Sequence, residues 1–216
     1  MVLIVTLCDF QQMITKLGFD WSLNFSNGGA EDHGVEFLYH LTAAEFTFKF
    51  DPAKPQERLK FNNLLPYVES TRAALKYMVD WKKPKSACIM YQDDEYGKNV
   101  YDGFTQQLEA MKMKPVSVTT YKRGASDFAA QAAKMKSDGC DLVVLGTVIR
   151  ETIGLMAEAK KIGFNPIWLG ATPVNVLEIP ALGKELVEGL YSAAGFEIPY
   201  RDTAKGPVKE WAEAYF

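Results

Sequence analysis

Side chains able to do chemistry gather in this chain just beyond its apolar runs. Ala87 to Tyr91 is such a run, and Gln92, Asp93, Asp94, Glu95 and Tyr96 follow it directly. The run reads as a strand buried on both faces, ended by Gln92, Asp93 and Asp94. Asp93 or Asp94 is placed to cap a helix, and Glu95 in its first turn suits the helix dipole. Tyr96 then reaches the edge where open parallel sheets hold ligands, so it either meets a ligand or only packs the turn. Later strand ends deliver Tyr121 to Ser126, then Gly146-Thr147-Val148-Ile149-Arg150, then Gly170-Ala171-Thr172-Pro173. Thr147 and Thr172 offer hydroxyls, and Gly146 and Gly170 are expected to let a backbone approach closely. Arg150 is a candidate anion partner, although a plain surface charge is the simpler reading. An edge of this kind can hold a small polar molecule without transforming it.

Catalytic devices are missing from the same positions. The sequence has no G-x-G-x-x-G after a strand and no G-x-x-x-x-G-K-[ST], so no dinucleotide or nucleotide cradle is supported. It has no G-x-S-x-G elbow and no H-E-x-x-H. The only histidines, His33 and His40, lie away from these strand ends and lack metal-ligand spacing. Asp93 and Asp94 are adjacent and point different ways, which suits a cap and its solvated neighbour better than an acid–base pair. No metal and no cofactor is expected.

The elements that position these residues alternate regularly. Pro66 to Trp81 is a helix with Val68, Thr71, Ala74, Leu75, Met78 and Val79 on one buried stripe. Lys82 to Lys85 follows as a polar, proline-containing link, a solvated connector and the best place for a domain crossing. Strand Ala87–Tyr91 leads to helix Tyr96–Met111, and strand Val116–Tyr121 to helix Asp127–Ser137, with Ser126 as candidate N-cap. Strand Leu142–Leu145 leads to helix Arg150–Ile162, stopped by Gly163. Strand Ile167–Leu169 precedes a looser helix, Ile179 to Leu186, and Leu190 to Phe196 is a last strand. This alternation calls for a parallel sheet covered on both faces. Before it, Val35–Tyr39 and Leu59–Asn62 suit short strands, with His40 to Ala44 as a loop. After it, Pro207 to Phe216 starts a helix. Residues 1–34 are least informative: Leu3–Cys8 suits a strand, Gln11–Leu17 a helix, and Ser26-Asn27-Gly28-Gly29 a turn.

Composition excludes several partners. The 216 residues are 48% hydrophobic with a net charge of −3, and no face-wide excess of Lys and Arg points to nucleic acid. No apolar stretch approaches the ~18 residues of a spanning helix, and MVLIVTLC lacks the basic start of an export signal. Of the three cysteines, Cys88 and Cys140 suit either a pair between neighbouring strands or two small buried hydrophobes, the second being favoured.

With these residues placed, the chain resembles the type I periplasmic binding proteins, in the branch serving branched-chain amino acid ABC transporters. The resemblance rests on MYQDDEYGKNVYDGF (Met90 to Phe104), on Gly124-Ala125-Ser126-Asp127-Phe128, on CDLVVLGT (Cys140 to Thr147) and on AEAKKIGFNPIWLG (Ala157 to Gly170). It implies an α/β, Rossmann-like parallel-sheet lobe belonging to a two-lobe flytrap whose first lobe is incomplete. Residues 1–82 would be part of lobe one, with 1–34 unassigned; 83–197 would be lobe two, and 198–216 a return to lobe one. The chain is therefore expected to be a fragment, or a gene reading with a damaged start and end, and to bind weakly or not at all by itself.

The resemblance also implies a function. The protein would be a periplasmic, monomeric, non-catalytic binder passing a small molecule to an ABC permease. A cytoplasmic or membrane-linked sensor on the same fold is the rival reading, and a small α/β enzyme a third. The family's carboxylate-gripping loop falls on Thr42, Ala43 and Ala44, and its stacking tyrosine on Tyr96. A further contact falls on Val148, beside Thr147, where leucine-binding members carry an aromatic residue. The acidic residue that meets an α-ammonium falls on Thr172. A hydroxyl is a weak substitute for that charge, so an acid lacking an α-amine, aromatic acids included, is expected over leucine.

Overall fold

A computed structural model of the chain describes residues 38–39, 45, 48–49, 51–54, 60–61, 64–195 and 204–215. The readings made for residues 1–34 and for Thr42, Ala43 and Ala44 lie outside the described residues. The chain divides into two compact units, residues 1–39 with 50–61 and residues 40–49 with 62–216. In the first, β1 (Leu38–Tyr39) pairs in parallel with β2 (Lys60–Phe61). Between them, Asp51 Oδ1 accepts a hydrogen bond from the Ala53 N–H at 2.9 Å.

The second unit carries the regular architecture. Helix α1 (Tyr67–Lys82) precedes β3 (Ala87–Gln92), α2 (Glu95–Ala110), β4 (Pro115–Tyr121), α3 (Ala129–Ser137) and β5 (Leu142–Gly146). Then come α4 (Ile149–Lys161), β6 (Ile167–Gly170), α5 (Glu178–Gly183), β7 (Leu190–Ser192) and α6 (Gly206–Tyr215). The strands form one five-stranded parallel sheet in the order β4-β3-β5-β6-β7. The chain steps outward from β3 to β4 and then returns to the other side of β3 as β5. The direction of winding reverses there, and the carboxyl ends of β3 and β5 flank the switch point.

Burial on both faces follows residue by residue. Ala87, Ile89, Leu142, Val144 and Leu169 face Leu75 and Met78 of α1 and Val100, Phe104 and Leu108 of α2. Cys88, Met90, Val143, Leu145 and Trp168 face Ala132 and Met135 of α3 and Leu155, Met156 and Ala159 of α4. The strict alternation is the period of two that a strand imposes, and the apolar runs are continuous because both faces are covered. The stripe expected on α1 is present, with Val68, Thr71, Leu75 and Met78 buried and Ala74 and Val79 half-buried. α1 lies against α2 at Gly103, where a Cβ would come 2.6 Å from the Val68 carbonyl oxygen.

Several expectations are corrected. Cys88 and Cys140 form a disulfide, with Cα atoms 5.8 Å apart, and are not two separate hydrophobes. The cause is topological: β5 lies directly beside β3, with Cys88 opposite Val143. The turn before β5 is also stitched to the start of β3, since Ser86 Oγ donates to the Gly139 carbonyl and accepts from the Asp141 N–H. Ser126 does not cap α3; the helix starts after Phe128, and Asp127 Oδ1 accepts from the Ala129 N–H at 2.9 Å. The looser helix breaks at Lys184, whose φ is 47°, into α5 and a 3-10 turn (Lys184–Val187). β7 ends at Ser192, short of the expected strand to Phe196.

Candidate functional site

The first piece of the site is the turn between β3 and α2. The strand runs through Gln92, its last residue, which is 1% exposed. Asp94, not Asp93, is the N-cap: its Oδ1 accepts from the Gly97 N–H at 3.0 Å. The Asp93 N–H donates to the Tyr121 carbonyl at 2.8 Å, joining the turn to the end of β4. Gly97 is required by space, because a Cβ there would lie 1.9 Å from the Gln92 carbonyl oxygen. These bonds fix the first turn of α2 tightly over the end of β3.

Tyr96 is thereby carried across the switch point. Its hydroxyl donates to the Thr147 carbonyl, just past β5, at 2.9 Å. Its ring meets the Tyr67 ring edge-on, with centroids 4.9 Å apart. Burial, followed by the nearby Tyr121 and Tyr67 hydroxyls and the Asp94 charge, pushes the Tyr96 phenol well above its usual range, so it stays neutral. The residue is half-buried. It packs the turn against Tyr67 and lies at the carboxyl edge of the strands.

The β5 edge supplies the next pieces. Thr147 is fully buried, and its hydroxyl is 2.6 Å from the hydroxyl of Thr152. Val148 is the N-cap residue of α4, and its carbonyl accepts from the Thr152 hydroxyl at 2.7 Å. The Thr147 hydroxyl is thus engaged within the protein, whereas Val148 is half-buried at the edge. Beyond β6, the half-buried Thr172 donates from Oγ1 to Ser70 Oγ of α1 at 3.3 Å. Ser70 in turn donates to the Tyr67 carbonyl at 3.1 Å. Tyr96, Thr147, Val148 and Thr172 therefore lie along the carboxyl edge of β3, β5 and β6, with the start of α1 beside them.

Gly146 and Gly170 do not leave room for a ligand. A Cβ at Gly146 would sit 2.8 Å from Tyr91 Cβ, and one at Gly170 would sit 2.6 Å from the Val174 side chain. Their function is close packing inside the lobe. Arg150 is a surface charge, 68% exposed, paired with Glu151 Oε1 at 3.2 Å. Thr42, Ala43 and Ala44 are outside the described residues; Glu45, next to them, donates its N–H to Asn99 Oδ1 of α2 at 2.6 Å.

Sequence reasoning passed over Tyr67, Ser70 and the inward role of Gln92, and placed Tyr121 only as a strand-end residue. The available signal was a polar Gln92 closing a wholly apolar run and followed closely by a glycine. Tyr67 and Ser70 gave none, because only the fold brings the start of α1 to the edge of β6. Among the described residues no group of His, Cys, Asp and Glu could hold a metal ion, and no helix is long and apolar enough to cross a membrane.

A five-stranded parallel sheet covered on both faces, with a switch point between β3 and β5, defines a lobe of the doubly wound class. The chain matches the family described as Periplasmic binding protein over residues 30–216, and it belongs to that family. It is 25% identical over 117 residues to a Leu/Ile/Val-binding protein of Citrobacter freundii, covering 54% of this chain and 32% of that one. It is 26% identical over 142 residues to an amino acid binding protein of Pseudomonas aeruginosa, covering 65% of this chain and 38% of the other. The chain thus spans about a third of the length of these curated relatives. Both are described as binding proteins and not as enzymes. Among solved structures, a branched chain amino acid ABC transporter protein from Thermus thermophilus with bound valine shares the fold. Its TM-score is 0.68 at 19% identity, over 82% of this chain and 46% of that one.

Proposed function

We propose that this chain is the ligand-holding part of an extracytoplasmic solute-binding protein that delivers a small amino acid or organic acid to an ABC importer. The observation that carries the reading is the Tyr96–Thr147 bond across the switch point of a parallel lobe, with Val148 and Thr172 on the same edge. Tyr96 offers a ring face and Val148 apolar contact, and the family resemblance assigns the carboxylate grip to the segment Thr42 to Ala44. The intact protein encloses its ligand between two lobes that close on binding, residues 83–197 supplying most of one. The Cys88–Cys140 disulfide favours an oxidising compartment over the cytoplasm, and so favours transport over a cytoplasmic sensor.

The ligand class follows from Thr172. Its hydroxyl is shared with Ser70, and no carboxylate stands at that position. Asp94 is not a replacement, since its oxygens accept from the Gly97 N–H and from the Gln92 amide. A buried ammonium would lose a charge-assisted bond of about 1.5–3 kcal/mol, roughly tenfold or more in affinity. Of the two classes, an acid without an α-amine is favoured, aromatic acids among the candidates. Calorimetric titration with valine and its keto-acid counterpart, α-ketoisovalerate, tests this. The keto acid should bind more tightly, and Thr172→Glu should narrow or reverse the gap; tighter binding of valine by the unmutated protein contradicts the reading.

A further inference from the structure

Gln92 is an unusual residue to find at the end of a strand buried on both faces. Its amide is sealed from water, and such a group costs free energy unless both its ends are bonded. Both are. The Tyr121 hydroxyl at the end of β4 donates to Gln92 Oε1 at 3.3 Å, and Gln92 Nε2 donates to Asp94 Oδ2. Asp94 uses its other oxygen to cap the helix that carries Tyr96. We infer that Gln92 is a positioning residue: through Tyr121 on one side and Asp94 on the other, it sets where Tyr96 stands on the binding edge. The inference rests on the reading of Tyr96 as a ligand contact, which the proposed function supplies.

The direction of the two bonds is the informative part. A carboxamide accepts from Tyr121 with one end and donates to the Asp94 carboxylate with the other, which an ionised carboxylate of that shape cannot do. Gln92→Glu would keep the acceptor and turn the donor into a second negative oxygen facing Asp94. An apolar side chain of similar length would keep the packing and lose both bonds. The titratable groups around this point are Asp94 in the turn, Tyr121 at the end of β4, Tyr96 in α2, Tyr67 in α1, Glu151 in α4 and Arg123 in the loop before α3. Near neutral pH, the carboxylate introduced by Gln92→Glu would face Asp94 and the neutral Tyr121 phenol, on which Glu151 and Arg123 also act.

The experiment follows the Tyr96 ring and Gly97 amide resonances in the whole chain, with tyrosine ring carbons labelled, in Gln92→Met, Gln92→Glu and Tyr121→Phe. Methyl resonances of Ile89 and Val143 report whether the sheet is intact. Gln92→Met should move both probes toward the values of an exposed tyrosine such as Tyr77 and an uncapped helix start. Gln92→Glu should move them at pH 7 and return them toward the wild-type positions on acidification, as the new carboxyl is protonated and regains a donor. Tyr121→Phe, which removes only a hydroxyl, should give a smaller shift in the same direction and stands in if Gln92→Met does not fold. Probes fixed at wild-type positions in the folded variants, or a Gln92→Glu shift that ignores pH, would overturn the inference. A parallel titration of the wild type with valine and α-ketoisovalerate separates the two readings. Variant-induced shifts without any effect of either compound on Tyr96 would keep Gln92 as a positioning residue and remove Tyr96 from the ligand.

Discussion

Tyr96 is held by a hydrogen bond at its tip, a ring contact on its side and a capped helix turn at its base. Each has its own consequence. Tyr96→Phe removes the bond to the Thr147 carbonyl and should cost about 1 kcal/mol in urea denaturation. Gly97→Ala should do far more harm, because a methyl 1.9 Å from the Gln92 carbonyl forces backbone apart; the expected result is loss of the folded state at ambient temperature. Tyr96 and Tyr121 are both pushed up from the ordinary tyrosine value of 10.0, chiefly by burial. The unfolded chain ionises these phenols first, so native protein holds more protons from about pH 10 upward and stability falls as pH rises through that range. Absorbance at alkaline pH should show these two phenols ionising above the ordinary tyrosine value in the folded protein; their titration at the ordinary value would contradict the shift. At this scale the sequence was partly legible. Tyr96 and an aspartate cap could be placed from spacing. Gln92 could not, because its meaning depends on Tyr121, brought beside it by strand pairing.

Among the elements, the α1–α2 contact and the β3–β5 link decide how the lobe is fastened. Gly103 lets the two helices meet with backbone close to backbone, a Cβ lying 3.1 Å from Val68 Cα. Gly103→Ala should overpack that contact and lower stability by about 1–3 kcal/mol, seen as a lower urea midpoint with an unchanged slope. The disulfide spans 52 residues of sequence, a loop long enough to stabilise by about 2–4 kcal/mol through restriction of the unfolded chain. Urea midpoints with and without reductant should differ accordingly; identical midpoints would mean the bond adds nothing to the fold. Helices and strands were readable from period and punctuation, since buried parallel strands are continuous apolar runs and Gly163 stops α4 as expected. The cysteine pair was not, because a list of strands does not say that β5 returns next to β3. The Ser126 cap failed for a local reason: the helix starts after Phe128, and Asp127 bonds the Ala129 N–H there.

For the whole molecule, the carboxyl edge at the β3–β5 switch point is the proposed place where a small acid is held, with Tyr96, Val148 and Thr172 as its nearest wall on this lobe. Fold class and family were legible because motif order and strand–helix rhythm run through most of the chain. The proposed ligand class rests on the absence of a charge at Thr172. The most direct measurement is amide chemical-shift mapping of the isotopically labelled chain during titration with α-ketoisovalerate and with valine at millimolar concentrations, where weak occupancy still registers. Shifts should be confined to Tyr96, Gly97, Thr147, Val148 and Thr172, and be larger with the keto acid than with valine. Shifts scattered over the opposite, amino end of the sheet around Ala87 and Leu142, or no localised shift with either compound, would contradict this placement of the ligand.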